Sequence, residues 1–172
     1  MYYTYLKYVV KHKYFVMKEC FRSGLYIRGL LHDNSKFLPS EFFPYAKFFY
    51  GKKVRSKTGY YKPTDTGNKD FDKAWMFHAN RNKHHWQYWC IPDADKNSCI
   101  KIEDKYLIEM VCDWVGAAKA QGKTRESVLE WWEENNNKML LHPETREDIE
   151  NLLISLKNDT KIRFHEYYDP FH

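Results

Sequence analysis

Between residues 2 and 22, Tyr5, Tyr8, Val9, His12, Phe15 and Val16 recur at spacings of three and four. That period puts them on one face of a helix; a half-buried strand would alternate every second residue. The same kind of period returns along the chain, punctuated by Gly and Pro. Gly24 ends the first helix, a short second one is expected from Leu25 to about Asn34, and Pro39 with Ser40 and Glu41 starts a third that runs through Phe49 to Gly51. Residues 70–89 contain neither Gly nor Pro and read as one long helix, stopped by Pro92. Over residues 103–121, Leu107, Met110, Val111, Trp114, Val115 and Ala118 keep helical spacing, with Gly122 placed as a C-cap. Two more helices are expected, one after Thr124 carrying Val128, Trp131 and Trp132, the other from Pro143 through Ile149, Leu152, Leu153 and Leu156. Residues 51–68 read as a long loop, and no segment makes a convincing strand. The expected fold is all-α: one domain of about six to seven helices, with residues 124–157 packed on the same core.

With 172 residues, 43% of them hydrophobic, the chain is long enough for a single domain with its own core. Six Trp and fourteen Tyr argue against a disordered chain. No run of about 18 uncharged apolar residues is present, so no membrane span and no membrane partner are expected. The N-terminus lacks the apolar stretch of a signal peptide, and Cys20, Cys90, Cys99 and Cys112 are too scattered for a metal knuckle. They are expected as reduced thiols of a cytoplasmic protein. The net charge of +5 suits an anionic partner only weakly, because acidic residues are interspersed and no basic block occurs.

Five histidines, His12, His32, His78, His84 and His85, fall in three expected helices of the first half. Metal sites in helical proteins are built from side chains pointing inward from several helices. On the long helix, His78 and His85 are seven residues apart and lie within about 20° of each other, while His84 points elsewhere. Asp113 interrupts the apolar stripe of its helix, and burying it would cost several kcal/mol, in order of magnitude, without a cation or hydrogen bonds. Each residue alone has a plainer reading. The His32–Asp33 doublet can be a helix end in which Asp33 or Asn34 bonds free backbone groups. His12 can be a core histidine, His84 and His85 an exposed patch with Arg81 and Lys83, and Asp113 the partner of a Lys or Arg.

Taken together, His12, HDNSK (32–36) and CDW (112–114) resemble the HD-domain metal-dependent phosphohydrolases. That pattern is a histidine on one helix, an HD doublet on the next and an aspartate on a later one, converging on a divalent cation. The segment HANRNKHHW (78–86) resembles the extra histidines of two-metal branches, in which the doublet aspartate bridges the ions. The HDxxK form, with Lys36, is similar to a branch that hydrolyses cyclic dinucleotides, where the lysine contacts phosphate. Further matches in YVVKHKYFV, HDNSKFLPSEFFPYAKFFYG, NKHHWQYW and HPETRE resemble an uncharacterised prokaryotic and phage family of small HD-like proteins.

The resemblance implies His12, His32, Asp33 and Asp113 as primary ligands, with His78 and His85 on a second ion or on substrate phosphate. Imidazoles and carboxylates suit Mn, Fe, Zn or Co, one or two ions, and a water on such an ion becomes a nucleophile near neutral pH. Lys36, Arg81, Lys83, Arg28 and His84 are the candidate phosphate contacts, and Tyr61, beside Tyr60, is a candidate to stack on a base. Glu41 is a candidate acid or base, although the first turn of a helix is also where a carboxylate stabilises the helix dipole. The expected function is hydrolysis of a phosphate ester bond in a nucleotide or related small molecule. The rivals are a di-iron HD-type oxygenase and a non-catalytic nucleic-acid-binding protein with a structural metal; nucleic acid is the less favoured partner, and the oligomeric state stays open.

Overall fold

The computed structural model describes residues 1–51, 66–91 and 98–158. Among them are seven α-helices: α1 (Tyr2–Arg22), α2 (Tyr26–Leu31), α3 (Pro39–Tyr50), α4 (Lys69–Arg81), α5 (Asp104–Ala120), α6 (Ser127–Asn135) and α7 (Pro143–Lys157). The fold is an all-α bundle. Tyr60, Tyr61 and Pro92 lie outside the described residues.

Three expectations are corrected. The long helix expected over residues 70–89 stops at Arg81, because the Asn82 side chain caps it, donating from Nδ2 to the His78 carbonyl at 2.9 Å. Asn82 carries no Gly or Pro signature, which is why its local bond to the backbone was invisible in the pattern. A two-residue strand β1 (Cys90–Ile91) pairs antiparallel with β2 (Ser98–Cys99). Cys90 and Cys99 sit opposite each other in that pair and are joined by a disulfide, so they are not the reduced thiols expected; Cys20 and Cys112 are free and buried. A separation of nine residues does not by itself announce a pairing that depends on the chain folding back.

Helix α1 organises the interior. Its buried face carries Tyr5, Val9, His12, Val16, Glu19 and Cys20. Tyr5 and Val9 join Tyr45, Phe71 and Ala74 in an aromatic-rich core with α3 and α4. Val16 and Cys20 join a larger core made with α5, α6 and α7, in which Val111, Val115, Trp132, Ile149 and Leu153 meet. His12 falls on the same face between the two.

Helices α1 and α5 approach closely at Gly116. A Cβ there would lie 2.8 Å from the Val16 backbone nitrogen and would also meet the Val16 side chain, so neither backbone nor branched side chain leaves room. Gly116→Ala is expected to destabilise the protein by about 1–3 kcal/mol through overpacking. At about 2–4 °C per kcal/mol for a chain of this size, thermal unfolding should show a midpoint several degrees lower.

Candidate metal centre

The doublet sits at a helix end, as its plainer reading supposes, but the side chain does something else. Helix α2 stops at Leu31, and Asp33 turns the chain with φ +53°, the one positive φ of a non-glycine among the described residues. Left-handed backbone at such a residue is unfavourable and persists only where the surroundings impose it. Asp33 makes no capping bond to the backbone. Its carboxylate is buried instead, at 2% exposure, with its two oxygens facing two groups of histidines.

Asp33 Oδ2 faces the first group. It lies 3.5 Å from His12 Nε2 of α1 and 3.3 Å from His32 Nε2. Asp113 Oδ1 of α5 closes the set, 3.1 Å from His12 Nε2 and 3.3 Å from His32 Nε2. Asp33 Oδ1 faces the second group, 3.4 Å from both His78 Nε2 and His84 Nε2. His85 completes it, with its ring centroid 4.7 Å from that of His78 and 4.4 Å from that of His84.

Donor atoms about 2.1 Å from one ion are about 3.0 Å apart at right angles and about 3.4 Å apart at the tetrahedral angle. Five of the six donor contacts above fall within that range, and the sixth, from His12 to Asp33, lies just beyond it. Apart from the Lys36 ion pair on Asp33 Oδ2, the Nε2 atoms of His12, His32, His78, His84 and His85, both Asp33 oxygens and Asp113 Oδ1 are buried with no hydrogen-bond partner in the protein. One protein cation stands at this cluster: the Lys36 ammonium, as an ion pair 2.5 Å from Asp33 Oδ2. Buried polar atoms are rarely left without partners, and eight that converge describe donors built for cations. The residues present therefore fit a metal ion, which either group could hold, with Asp33 offering an oxygen to each.

Behind the donors, two glutamates hold the rings. His78 Nδ1 lies 3.0 Å from Glu41 Oε2, and Arg81 Nη1 donates to Glu41 Oε1 at 2.7 Å. Ser35 Oγ donates to Glu41 Oε2 at 2.8 Å, so this carboxylate, on the third helix, is fully engaged and fully buried. Glu109 does the same from α5. Its Oε1 lies 3.1 Å from His32 Nδ1 and 3.4 Å from His84 Nδ1, while Arg28 Nε donates to Oε2 at 2.5 Å. A carboxylate on Nδ1 fixes the tautomer that turns Nε2 outward as a free donor, the usual outer support of a metal-binding histidine.

The charges are strongly coupled. Burial alone would lower the pKa of His32, but Asp33, Asp113 and Glu109 around it raise it well above the usual imidazole range. Burial opposes ionisation of Asp33, and His32, Lys36 and His78 nevertheless hold it well below its ordinary value. Asp113 behaves in the same way, with His12 and His32 outweighing burial. Glu109 is held to about 2 by His32 and His84 against the effect of burial. His85 moves the other way: burial first, then the His84 and His78 rings, keep it well below the usual range.

The structure brings His12, His32, Asp33, His78, His85 and Asp113 into one cluster, with Lys36 at its edge. It also brings in His84, which sequence spacing had pointing away, because α4 ends before it and the turn after Asn82 swings both His84 and His85 inward. Arg28 and Arg81 are engaged with Glu109 and Glu41 rather than with the donor face. Lys83 is elsewhere, with Nζ 5.3 Å above the Tyr106 ring. Glu109 was missed by sequence reasoning. Its signal was its place four residues before Asp113, on the same face of the helix.

Fold and site together define an all-α protein with a buried His–carboxylate cluster that could hold metal ions. The chain belongs to a family of unknown function, DUF5662, whose model matches residues 1–155 and so spans every residue of the cluster. No curated protein and no solved structure matches it.

Titration with Mn or Zn, followed by metal analysis, should give two ions per chain. Asp33→Ala should lose both, because each set shares that carboxylate, whereas His12→Ala should lose one. Glu41→Gln and Glu109→Gln should retain the fold by circular dichroism but bind metal about 10–100-fold more weakly, since they leave the donors in place and loosen their orientation.

Proposed function

We infer that this protein is a metal-dependent phosphohydrolase of the HD type, acting on a phosphate ester bond of a nucleotide or related small molecule. The observation that carries the reading is the Asp33 carboxylate, whose two oxygens face separate histidine sets, the first completed by Asp113 and the second by a third histidine. This supports the arrangement that the resemblance of the HD doublet implies. Divalent ions bound there supply charge for phosphoryl oxygens and a nucleophilic water near neutral pH.

The chain's own residues account for the rest. Asp33 is the buried centre and Asp113 the exposed edge of the donor face: the Asp113 side chain is 14% exposed, and substrate approaches from its side. Lys36, 15% exposed, stands at the same opening, and Asp33 and Asp113 hold its ammonium charged despite burial. From there it can move from Asp33 to a substrate phosphate oxygen, as a fixed positive charge that strengthens as the phosphoryl group gains charge. Glu41 keeps His78 in place and Glu109 keeps His32 and His84 in place; neither has an oxygen left for proton transfer. The catalytic role expected for Glu41 thus becomes a positioning one.

The second reading is a di-iron oxygenase, which the five imidazole donors favour because iron is at home among histidines and carboxylates. One experiment separates them. Wild type and Asp33→Ala are loaded with Mn, Zn, Co or Fe, and bound metal, phosphate release from a nucleotide panel and oxygen uptake are followed in the same samples. Phosphate release lost together with metal in Asp33→Ala supports the hydrolase, and oxygen uptake with iron alone supports the oxygenase. A wild-type protein that binds no metal overturns both. In the hydrolase, Lys36→Met should keep its metal and lower kcat/KM by about tenfold to a thousandfold, as expected for the loss of one phosphate-stabilising charge.

A further inference from the structure

The outer face of α1 is apolar where an ordinary surface helix is polar. At about 100° per residue, Tyr3, Val10 and Tyr14 fall within about 40° of one another, on the side away from Val9 and Val16, and all three are exposed. Helix α2 packs on α1 beyond Tyr14, against Met17 and Cys20. It is seated by Gly29, where a Cβ would come within 2.8 Å of Cys20 Cβ and 3.3 Å of the Met17 backbone, and Lys13 Nζ ties the Leu30 carbonyl to α1 at 2.8 Å. Four of its six residues, Tyr26, Ile27, Leu30 and Leu31, are exposed, with Ile27 72% exposed. Scattered exposed apolar residues are ordinary, but a contiguous set on neighbouring helices marks an interaction surface.

The charge around this face is one-sided. The first forty residues hold seven Lys and Arg against two carboxylates, which is the whole of the chain's net +5. Both carboxylates are buried: Asp33 in the metal cluster, and Glu19 against Lys119 at 2.6 Å. Lys7, Lys11 and Lys18 flank the stripe, and Lys7 and Lys18 fold over Tyr3 and Tyr14 with their ammonium groups 4.4 and 5.5 Å from the rings.

We propose that the face made by the outer sides of α1 and α2 docks on an anionic lipid surface, with the α2 aliphatic side chains inserted among the acyl chains and the α1 lysines on the headgroups. Tyrosine at the interface, aliphatic side chains below it and lysines beside it are the composition of a segment that lies on a bilayer without crossing it. That no helix among the described residues is long and apolar enough to cross a membrane says nothing against this mode. Two other occupants fit less well. A second copy would bring the same lysines face to face, with no exposed carboxylate in residues 1–40 to pair with them. A nucleic acid would use the lysines and tyrosines but gain nothing from Ile27, Leu30 and Leu31, which neither stack nor hydrogen-bond.

The test is flotation of the full chain with phosphatidylcholine vesicles, with and without phosphatidylserine, at low and high salt. Binding is expected only with phosphatidylserine and should weaken with salt. Val10→Ser with Ile27→Ser, both exposed and outside the metal cluster, and separately Lys7→Glu with Lys11→Glu, should each reduce vesicle affinity about tenfold or more, with circular dichroism and bound metal unchanged. No binding to anionic vesicles overturns the proposal. So does binding that the Val10 and Ile27 variants leave intact, a dimer in solution that those variants dissolve, or binding to single-stranded RNA in place of vesicles.

Discussion

A carboxylate buried between two sets of imidazoles is the constraint around which this protein is arranged. Asp33 cannot be placed there from within a helix; it requires α2 to stop two residues earlier and the backbone to turn through a left-handed conformation. Once it is there, its negative charge must be met from all sides. His12, His32, His78, His84 and Lys36 converge on it, drawn from α1, the turn after α2, α4 and the turn that follows α4. Burying so many ionisable groups is tolerable only because each is opposed by another or is ready for a cation.

The apolar cores exist on either side of this polar layer and fix its dimensions. On α1, His12 separates Val9, which packs with the aromatic residues of α3 and α4, from Val16, which packs with α5. Gly116 lets α5 approach Val16 more closely than any other residue would allow. It lies three residues beyond Asp113, and Val16 four beyond His12, so the closest backbone approach sits one turn from the His12–Asp113 contact of 3.1 Å. Packing at a glycine thereby sets a distance between two donors.

The glutamates extend the same logic outward. Glu41 and Glu109 each face histidine Nδ1 atoms on the inside and an arginine on the outside, so charge alternates from the cluster to the surface. This alternation explains why Arg28 and Arg81, attractive from sequence as phosphate contacts, are engaged elsewhere. Lys36 differs because its partner is a donor carboxylate at the opening itself.

Much of this was legible in the chain. Helical periods, with Gly24, Gly51, Gly122 and Pro143 as punctuation, located the helices, since each depends on residues three or four apart and on local backbone preferences. The HD doublet, His12, His78, His85 and Asp113 stood out because imidazoles and carboxylates interrupting apolar stripes are costly without a purpose. What only the tertiary structure decided was everything that depends on a bond across the chain. Asn82 ending α4, His84 turning inward, Glu109 backing two histidines, and Cys90 meeting Cys99 all follow from neighbours distant in sequence or from a single side-chain bond. Periodicity reports which face of a helix is buried. Which donors share that burial, and how far apart they lie, is set by the packing of one helix against another.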